Sequence, residues 1–199
     1  MITRKEMTRM LLKEGLLSCL ANHSFESVTV TSLCKASGIT RSTFYLHYNN
    51  IMEIVDDLVD DAISYSRPGM VDNNNLQIIA KALSATSDSI SLREAYDSIF
   101  DRLPLCQRII RHKKYLPLFL DEQISEYVLQ RIIRREKDRQ GLVMAEALGI
   151  SFDVGVSVFV FLVHGLYAIN KEYKWTQSDE WLEAQKIIFE LVYRGLQSK

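Results

Sequence analysis

Apolar residues recur at every third or fourth position along most of this chain, and this spacing is typical of amphipathic α-helices. Residues 141–150 lack the pattern and are predicted as a loop or a short turn. The predicted helices cover residues 4–22, two short stretches between 29 and 49, a helix from Asn50 onward, and then residues 76–86, 92–100, 105–113, 118–139, 153–170 and 179–196. The pattern therefore predicts an all-α fold.

The most apolar segment, residues 153–170, allows two other interpretations. Its Val and Phe content would suit a β-strand, but a single strand in a helical chain would have no pairing partner. A membrane span needs about 20 apolar residues. This run is shorter and contains Ser157 and His164. We therefore expect a helix that is buried in a core or between subunits, and no contact with a membrane.

A helix-turn-helix pattern occupies residues 29–50. Leu33 and Cys34 provide the buried side of a first short helix, and Gly38 suits the left-handed conformation that ends a helix. Thr40 is predicted to cap the next helix. Phe44 and Tyr48 are four residues apart, so they share the buried face of that second helix.

The other face of the second helix is predicted to contact DNA. Arg41 suits a guanine edge, although a phosphate contact or a solvated charge is an equally good interpretation. Leu46 suits a thymine methyl group, with partial burial as the alternative. Thr29 and Thr31 begin the preceding helix, where a hydroxyl group and a backbone N–H can bind phosphate. The full set of predicted DNA-binding residues is Thr29, Thr31, Thr40, Arg41, Ser42, Thr43, Tyr45, Leu46 and His47.

These residues resemble the DNA-binding domain of the TetR/AcrR family of transcriptional regulators. The resemblance covers about the first third of the chain. It departs from the family pattern at Ile51, where a lysine that contacts phosphate is common. The matching positions are Thr29-Val30, Leu33-Cys34, Gly38-Ile39-Thr40 and Thr43-Phe44-Tyr45-Leu46-His47-Tyr48.

The resemblance implies a helix-turn-helix domain joined to a larger helical domain for ligand binding and dimerisation. We place the boundary at the helix breaker Arg67-Pro68-Gly69 and the polar run 72–75, which gives domains of residues 1–66 and 67–199. In such a protein Tyr45 and His47 would contact phosphates. A homodimer formed through the last two helices would bind a pseudo-palindromic operator in double-stranded DNA.

The resemblance further implies a repressor that a small-molecule effector releases from DNA. An alternative is a TetR-like adaptor or co-activator whose C-terminal domain binds a protein partner. An aromatic cavity would favour the first interpretation and an exposed apolar groove the second. The predicted ligand-binding residues are the aromatic and histidine side chains Tyr96, Phe100, Phe119, Tyr127, Phe159, His164 and Tyr167.

Composition and charge distribution add predictions about DNA binding, localisation and catalysis. The 199 residues carry a net charge of −1, so nucleic-acid binding is not indicated by total charge. Residues 1–50 contain six Lys or Arg and three Glu, whereas residues 51–66 contain five acidic residues and no basic one. This distribution suggests a positively charged DNA-binding region beside a solvent-facing acidic helix. Three cysteines without C-x-x-C spacing, and no signal peptide, predict a cytoplasmic protein. The sequence contains no enzyme, cofactor or metal-binding motif, so neither catalysis nor a cofactor is expected.

Overall fold

The structure is a computed structural model that describes residues 3–66, 75–84, 91–111 and 113–197. Every regular element in these ranges is helical, which confirms the predicted all-α fold for this part of the chain. The predicted breaker at residues 67–69 and most of the polar run 72–75 lie outside the described residues. The helices are α1 (Arg4–Leu20), α2 (Val30–Ser37), α3 (Arg41–Tyr45), α4 (Ile51–Ser66), α5 (Asn75–Ser84), α6 (Leu92–Ser98), α7 (Leu105–Arg108), α8 (Leu116–Leu120), α9 (Ser125–Leu148), α10 (Phe152–Glu172) and α11 (Asp179–Gln197).

Three predicted elements differ from the structure. The helix predicted over residues 105–113 ends at Arg108. The single helix predicted over residues 118–139 is two helices, because the Asp121 carboxylate accepts hydrogen bonds from the backbone N–H groups of Gln123 and Ile124 and so starts α9 anew. The loop predicted over residues 141–150 is also wrong, since α9 continues to Leu148. Gly149, with φ of 62°, is the residue that ends this helix in the left-handed conformation.

Gly141 lies inside α9 because it allows a close approach of α10, not because it breaks the helix. A Cβ atom on Gly141 would lie 2.4 Å from Cγ2 of Val156. On the facing helix, a Cβ atom on Gly155 would lie 2.3 Å from the carbonyl oxygen of Gly141 and 2.9 Å from the backbone nitrogen of Ala145. The two glycines therefore set the distance between α9 and α10 at this crossing.

Replacing Gly155 with Ala should destabilise the protein. The added methyl group meets backbone atoms that cannot rotate away, and such overpacking costs about 3 kcal/mol, of which the better helix propensity of Ala offsets about 1 kcal/mol. We expect Tm to fall by about 6 °C. Asp138→Ala on α9 is the control, because its side chain is exposed. Thermal unfolding in which both variants match the wild type would contradict the close crossing.

The described residues form two compact units. The first comprises the described residues of Met1–Ser64 and His112–Ile132, and the second those of Tyr65–Arg111 and Ile133–Lys199. Residues 113–132, assigned by sequence to the C-terminal domain, therefore pack in the same unit as the helix-turn-helix. The functional boundary near residue 66 stays a prediction. The core of the first unit includes Leu12, Leu16, Leu33, Phe44, Ile54, Leu58, Leu118 and Phe119, all almost fully buried.

The second unit has its core where α5, α6 and α11 pack against one another and α7 packs against α10. Trp181 of α11 and Tyr96 of α6 are completely buried, and their rings meet edge to face at 5.2 Å between centroids. Ile79 and Leu83 on α5, which packs against both α6 and α11, are buried as well. This cluster fixes α11 against α6 and α5.

The apolar helix α10 is not buried within a single chain. It is the one helix in the described ranges whose length and composition would permit a membrane span, with a mean hydropathy of 1.9 over its best window. Only 28% of that window is buried. Phe161 is 71% exposed, and His164, expected in the interior, also lies on the surface. Of the two alternatives predicted for this helix, burial in the core of one chain does not hold for most of it, and burial between subunits stays a prediction.

Candidate nucleic-acid interface

Local hydrogen bonds define the first helix of the predicted motif. The Thr29 side chain accepts from the backbone N–H of Ser32, and the Ser32 hydroxyl accepts in return from the N–H of Thr29, which makes a capping box at the start of α2. Gly38 takes the left-handed conformation, with φ of 66°, and ends the helix. Both features match the sequence prediction, because both depend on residues close together in the chain.

Thr40 begins the second helix, α3. Its hydroxyl oxygen accepts from the backbone N–H of Thr43 at 3.2 Å and also bonds to the side chains of Ser42 and Thr43. The helical turn continues past Tyr45, since the N–H groups of His47 and Tyr48 both donate to the carbonyl oxygen of Phe44. Thr40 and Thr43 therefore have a structural role in addition to any contact with DNA.

The second helix has one buried and one exposed face. Phe44 is completely buried and Tyr48 is 3% exposed, whereas Tyr45 is 52% and Leu46 81% exposed. Arg41 also lies on the surface. The structure therefore places these three predicted contact residues on solvent-facing positions, and it rules out burial of Leu46 within the chain. Thr29, Thr31 and Ser42 are exposed as well.

His47 is placed differently from the other predicted contacts. It is half-buried, and its Nδ1 atom is buried without a hydrogen-bond partner in the described structure. The prediction that His47 points outward is therefore only partly met. The sequence could not reveal this, because the burial depends on how the chain turns after α3.

Gly15 allows α1 to approach α2 closely. A Cβ atom on Gly15 would lie 2.1 Å from the Ser37 hydroxyl oxygen and 3.3 Å from the Ser37 Cα atom. The Ser37 hydroxyl donates to the carbonyl oxygen of Leu33, so it is held inside its own helix. The sequence pattern gave no sign of this contact. It fixes the helix-turn-helix against α1.

A polar network holds the end of the helix-turn-helix, just after α3, against α1 and α4. The Tyr48 hydroxyl donates to Oδ2 of Asp57 at 2.6 Å, and the Arg9 guanidinium forms an ion pair with the same carboxylate. Arg9 also lies over the Tyr48 ring, 4.6 Å from its centroid. Burial, followed by the hydrogen bond to Asp57, raises the pKa of Tyr48, so the phenol stays a neutral donor. Residues from α1 and α4 are thus joined to the end of the motif.

Three of the four other acids of α4 are also paired with basic residues, so α4 is not the solvent-facing acidic helix that the sequence suggests. Arg131 bridges Asp56 and Asp60, with distances of 3.1 Å to each. Lys13 pairs with Asp61. These contacts neutralise most of the charge that the sequence assigned to α4. No local signal in the sequence identifies the partners, because they lie far away along the chain.

Replacing Asp57 with Ala should destabilise the first unit. The change leaves the hydroxyl of the buried Tyr48 and the Arg9 guanidinium without their acceptor, which costs about 1.5 kcal/mol. Urea unfolding should give this loss in the free energy of unfolding. Asp138→Ala, which removes an exposed carboxylate from α9, should change it by less than about 0.5 kcal/mol. Equal effects of the two substitutions would show that the network adds no stability.

The seven predicted ligand-binding residues are divided between the two units. Phe119 and Tyr127 belong to the first unit, where the Tyr127 hydroxyl donates to Asp56 at 2.6 Å. In the second unit, Tyr96 is buried and Phe100 lies beneath the Arg111 guanidinium. The three predicted residues on α10 differ in burial, because Phe159 and Tyr167 are buried and His164 is exposed.

Comparison with known proteins gives one similar structure. No protein-family model matches the chain, and no curated protein matches it. A solved structure of the TetR family repressor AlkX from Dietzia sp. strain DQ12-45-1b, described as implicated in biodegradation of n-alkanes, matches over 95% of both chains with 13% identity and a TM-score of 0.43.

Proposed function

We propose that this protein is a sequence-specific DNA-binding transcriptional regulator. The observation that carries the proposal is the exposed face of α3 and of the turn that follows it. Arg41, Tyr45 and Leu46 project to solvent from a segment whose other face, Phe44 and Tyr48, is buried. This set combines a bidentate donor for guanine, a phosphate donor and an apolar contact for thymine.

Few cations support this face, so uncharged contacts matter. Arg9 and Lys13 are paired with acids of α4, which reduces their attraction for phosphate. Lys35 and Arg41 are exposed on the motif itself. If the DNA-binding region of each subunit neutralises about two phosphates, the affinity of a dimer for DNA should depend only moderately on salt concentration. The hydroxyl and backbone N–H of Thr31 would supply further phosphate contacts, whereas the Thr29 backbone N–H already donates to Ser32.

We further propose that the protein acts as a homodimer joined through α10 and α11. Phe161 on α10 is 71% exposed, and Leu191 on α11 is 65% exposed. Phe152 and Val154 on α10 and Ile187 on α11 are exposed as well. Large apolar side chains that remain exposed on two helices of one chain mark a surface for association. A second copy can cover this surface, and its recognition helix would then read a second half-site.

In this proposal a small molecule bound in the helical C-terminal part releases a repressor from its operator. The alternative, an adaptor whose C-terminal part binds another protein, is favoured by the same exposed apolar residues of α10 and α11. The oligomeric state separates the two, because a surface covered by a second copy is not open to a different partner.

The experiment that tests DNA binding is selection from a pool of random duplexes, followed by affinity measurement on the selected sequence. The DNA upstream of the protein's own gene and a scrambled version of it should be measured in parallel over a range of salt concentrations. We expect one pseudo-palindromic sequence to be enriched and bound at least about a thousandfold more tightly than the scrambled duplex. Equal, weak binding to all duplexes would reject the proposal.

A further inference from the structure

A single carboxylate joins the beginning of α9 to the helix-turn-helix. Oδ1 of Asp121 accepts from the backbone N–H groups of Gln123 and Ile124 and so starts α9. Oδ2 of the same carboxylate accepts from the backbone N–H of Phe25 at 2.6 Å. Phe25 lies 96 positions earlier in the chain, between α1 and α2. Both oxygens of Asp121 are therefore used, one for its own helix and one for the approach to α2.

The bond to Phe25 holds the backbone that leads into α2. Phe25–Ser27 forms a short 3₁₀-helix, and the N–H of Val28 donates to the carbonyl oxygen of Phe25 at 2.9 Å. Thr29 follows directly and caps α2. The position of Phe25 therefore sets where α2 begins and where Thr31, a predicted phosphate contact, is presented.

A second set of contacts joins α9 to α4. Nη1 and Nη2 of Arg131 lie 3.1 Å from Oδ1 of Asp56 and 3.1 Å from Oδ2 of Asp60, respectively. The Tyr127 hydroxyl donates to Oδ1 of Asp56 at 2.6 Å. Each helix supplies two side chains that are four residues apart, so the contact follows one turn of α9 and one turn of α4. The Arg131 side chain is only 22% exposed, and solvent ions therefore screen these pairs less than they screen pairs on an open surface.

Helix α4 in turn holds the end of the helix-turn-helix. Asp57, the neighbour of Asp56, accepts from the Tyr48 hydroxyl at 2.6 Å. Tyr48 follows the exposed Leu46 by two residues. The contacts thus run from Arg131 through α4 to the segment that carries the predicted base contacts.

The chain before α9 is also built into the unit that contains the helix-turn-helix. Leu118 and Phe119 on α8 are almost fully buried, and α8 packs against α1. Lys114 forms an ion pair with Glu14 of α1 at 2.6 Å. Residues 113–132 are therefore fixed to the DNA-binding helices along their whole length, and Asp121 and Arg131 do not hang from a loosely attached segment.

We propose that Asp121 and Arg131 are positioning residues for DNA recognition, although both lie far outside the helix-turn-helix in the sequence. Asp121 sets the start of α2, and Arg131 sets the end of α3 through α4. Neither side chain contacts DNA in this assignment, because each acts by holding the backbone that carries the contacts. The inference rests on the proposed function, since it concerns the same DNA-binding surface.

Operator affinity of two variants tests this assignment. Asp121→Asn keeps the shape of the side chain but replaces one acceptor oxygen with an NH₂ donor, so one set of backbone N–H groups loses its acceptor. Arg131→Met keeps an unbranched apolar side chain and removes the guanidinium. At a temperature where circular dichroism shows each variant fully folded, we expect each to bind the selected operator about tenfold more weakly. A role in stability alone would leave the affinity of the folded protein unchanged.

Two exposed neighbours provide matched controls. Glu122→Gln removes the charge of the carboxylate next to Asp121, and Arg134→Met removes an exposed guanidinium from α9. Both variants should bind the operator with wild-type affinity.

Salt dependence separates positioning from a direct contact. Loss of an arginine that binds phosphate lowers the slope of log affinity against log salt concentration by about one for each subunit. Arg131→Met should bind more weakly with the wild-type slope. A slope that falls by about one for each subunit would assign Arg131 to the DNA surface and overturn its positioning role.

Amide hydrogen exchange measures the positioning without DNA. Exchange should rise at least about fivefold within residues 27–33 in Asp121→Asn and within residues 44–49 in Arg131→Met, whereas the two controls should match the wild type. Wild-type operator affinity in the folded variants, or exchange equal to that of the controls, would overturn the inference. A wild-type protein without sequence-specific DNA binding would reject the proposed function, and hydrogen exchange alone would then decide whether Asp121 and Arg131 hold these two segments.

Discussion

Replacing Arg41 and Tyr45 together with Ala is expected to lower the affinity for the operator about a thousandfold. A bidentate contact between arginine and a base edge contributes about 1–3 kcal/mol of discrimination, and a phosphate hydrogen bond about 1 kcal/mol. A dimer loses each contact twice, so the total loss exceeds about 4 kcal/mol, which corresponds to about a thousandfold. Affinity for scrambled DNA should change much less, because the remaining phosphate contacts are independent of sequence.

Arg134→Ala provides the matched control for the arginine, because Arg134 is an exposed arginine on α9. Its operator affinity should equal that of the wild type. The Arg41→Ala, Tyr45→Ala variant should also keep the wild-type Tm, since both side chains lie on the surface. If this folded variant bound the operator as tightly as the wild type, the exposed face of α3 would not be the DNA-binding surface.

Replacing Phe161 and Leu191 with Glu should convert the dimer to a monomer. Burying each of these side chains against a second copy contributes about 1.5 kcal/mol or more, and a symmetric interface buries each of them twice. Four carboxylates would also have to be desolvated without partners. We expect the dimer to dissociate at least about a thousandfold more readily, which sedimentation velocity over a range of protein concentrations can measure.

Leu142→Glu is the control, because Leu142 is an exposed leucine on α9, outside α10 and α11. This variant should remain dimeric. The Phe161→Glu, Leu191→Glu variant should keep the helix content of the wild type in circular dichroism, since both residues are solvent-exposed in the single chain. A wild-type protein that sediments as a monomer at every concentration would favour the adaptor function over the dimeric repressor.

The sequence alone determined the features that depend on near neighbours in the chain. Thr29, Gly38 and Thr40 act within three or four residues of their own positions, so their capping roles could be predicted from residue type and spacing. The buried pair Phe44 and Tyr48 follows from the helical period in the same way. Because these signals are local, the helix-turn-helix and its exposed face could be predicted without a structure.

The tertiary structure alone decided which distant groups meet. The sequence pattern places Asp57 among several solvent-facing acids, yet Asp57 binds Arg9, 48 positions earlier in the chain. The sequence pattern predicts a loop at Gly141, although this glycine lies in a helix and allows the facing Gly155 backbone to approach closely. Hydrophobic periodicity specifies which face of each helix is buried, whereas the partner of a buried polar group or a glycine depends on how the helices pack against one another.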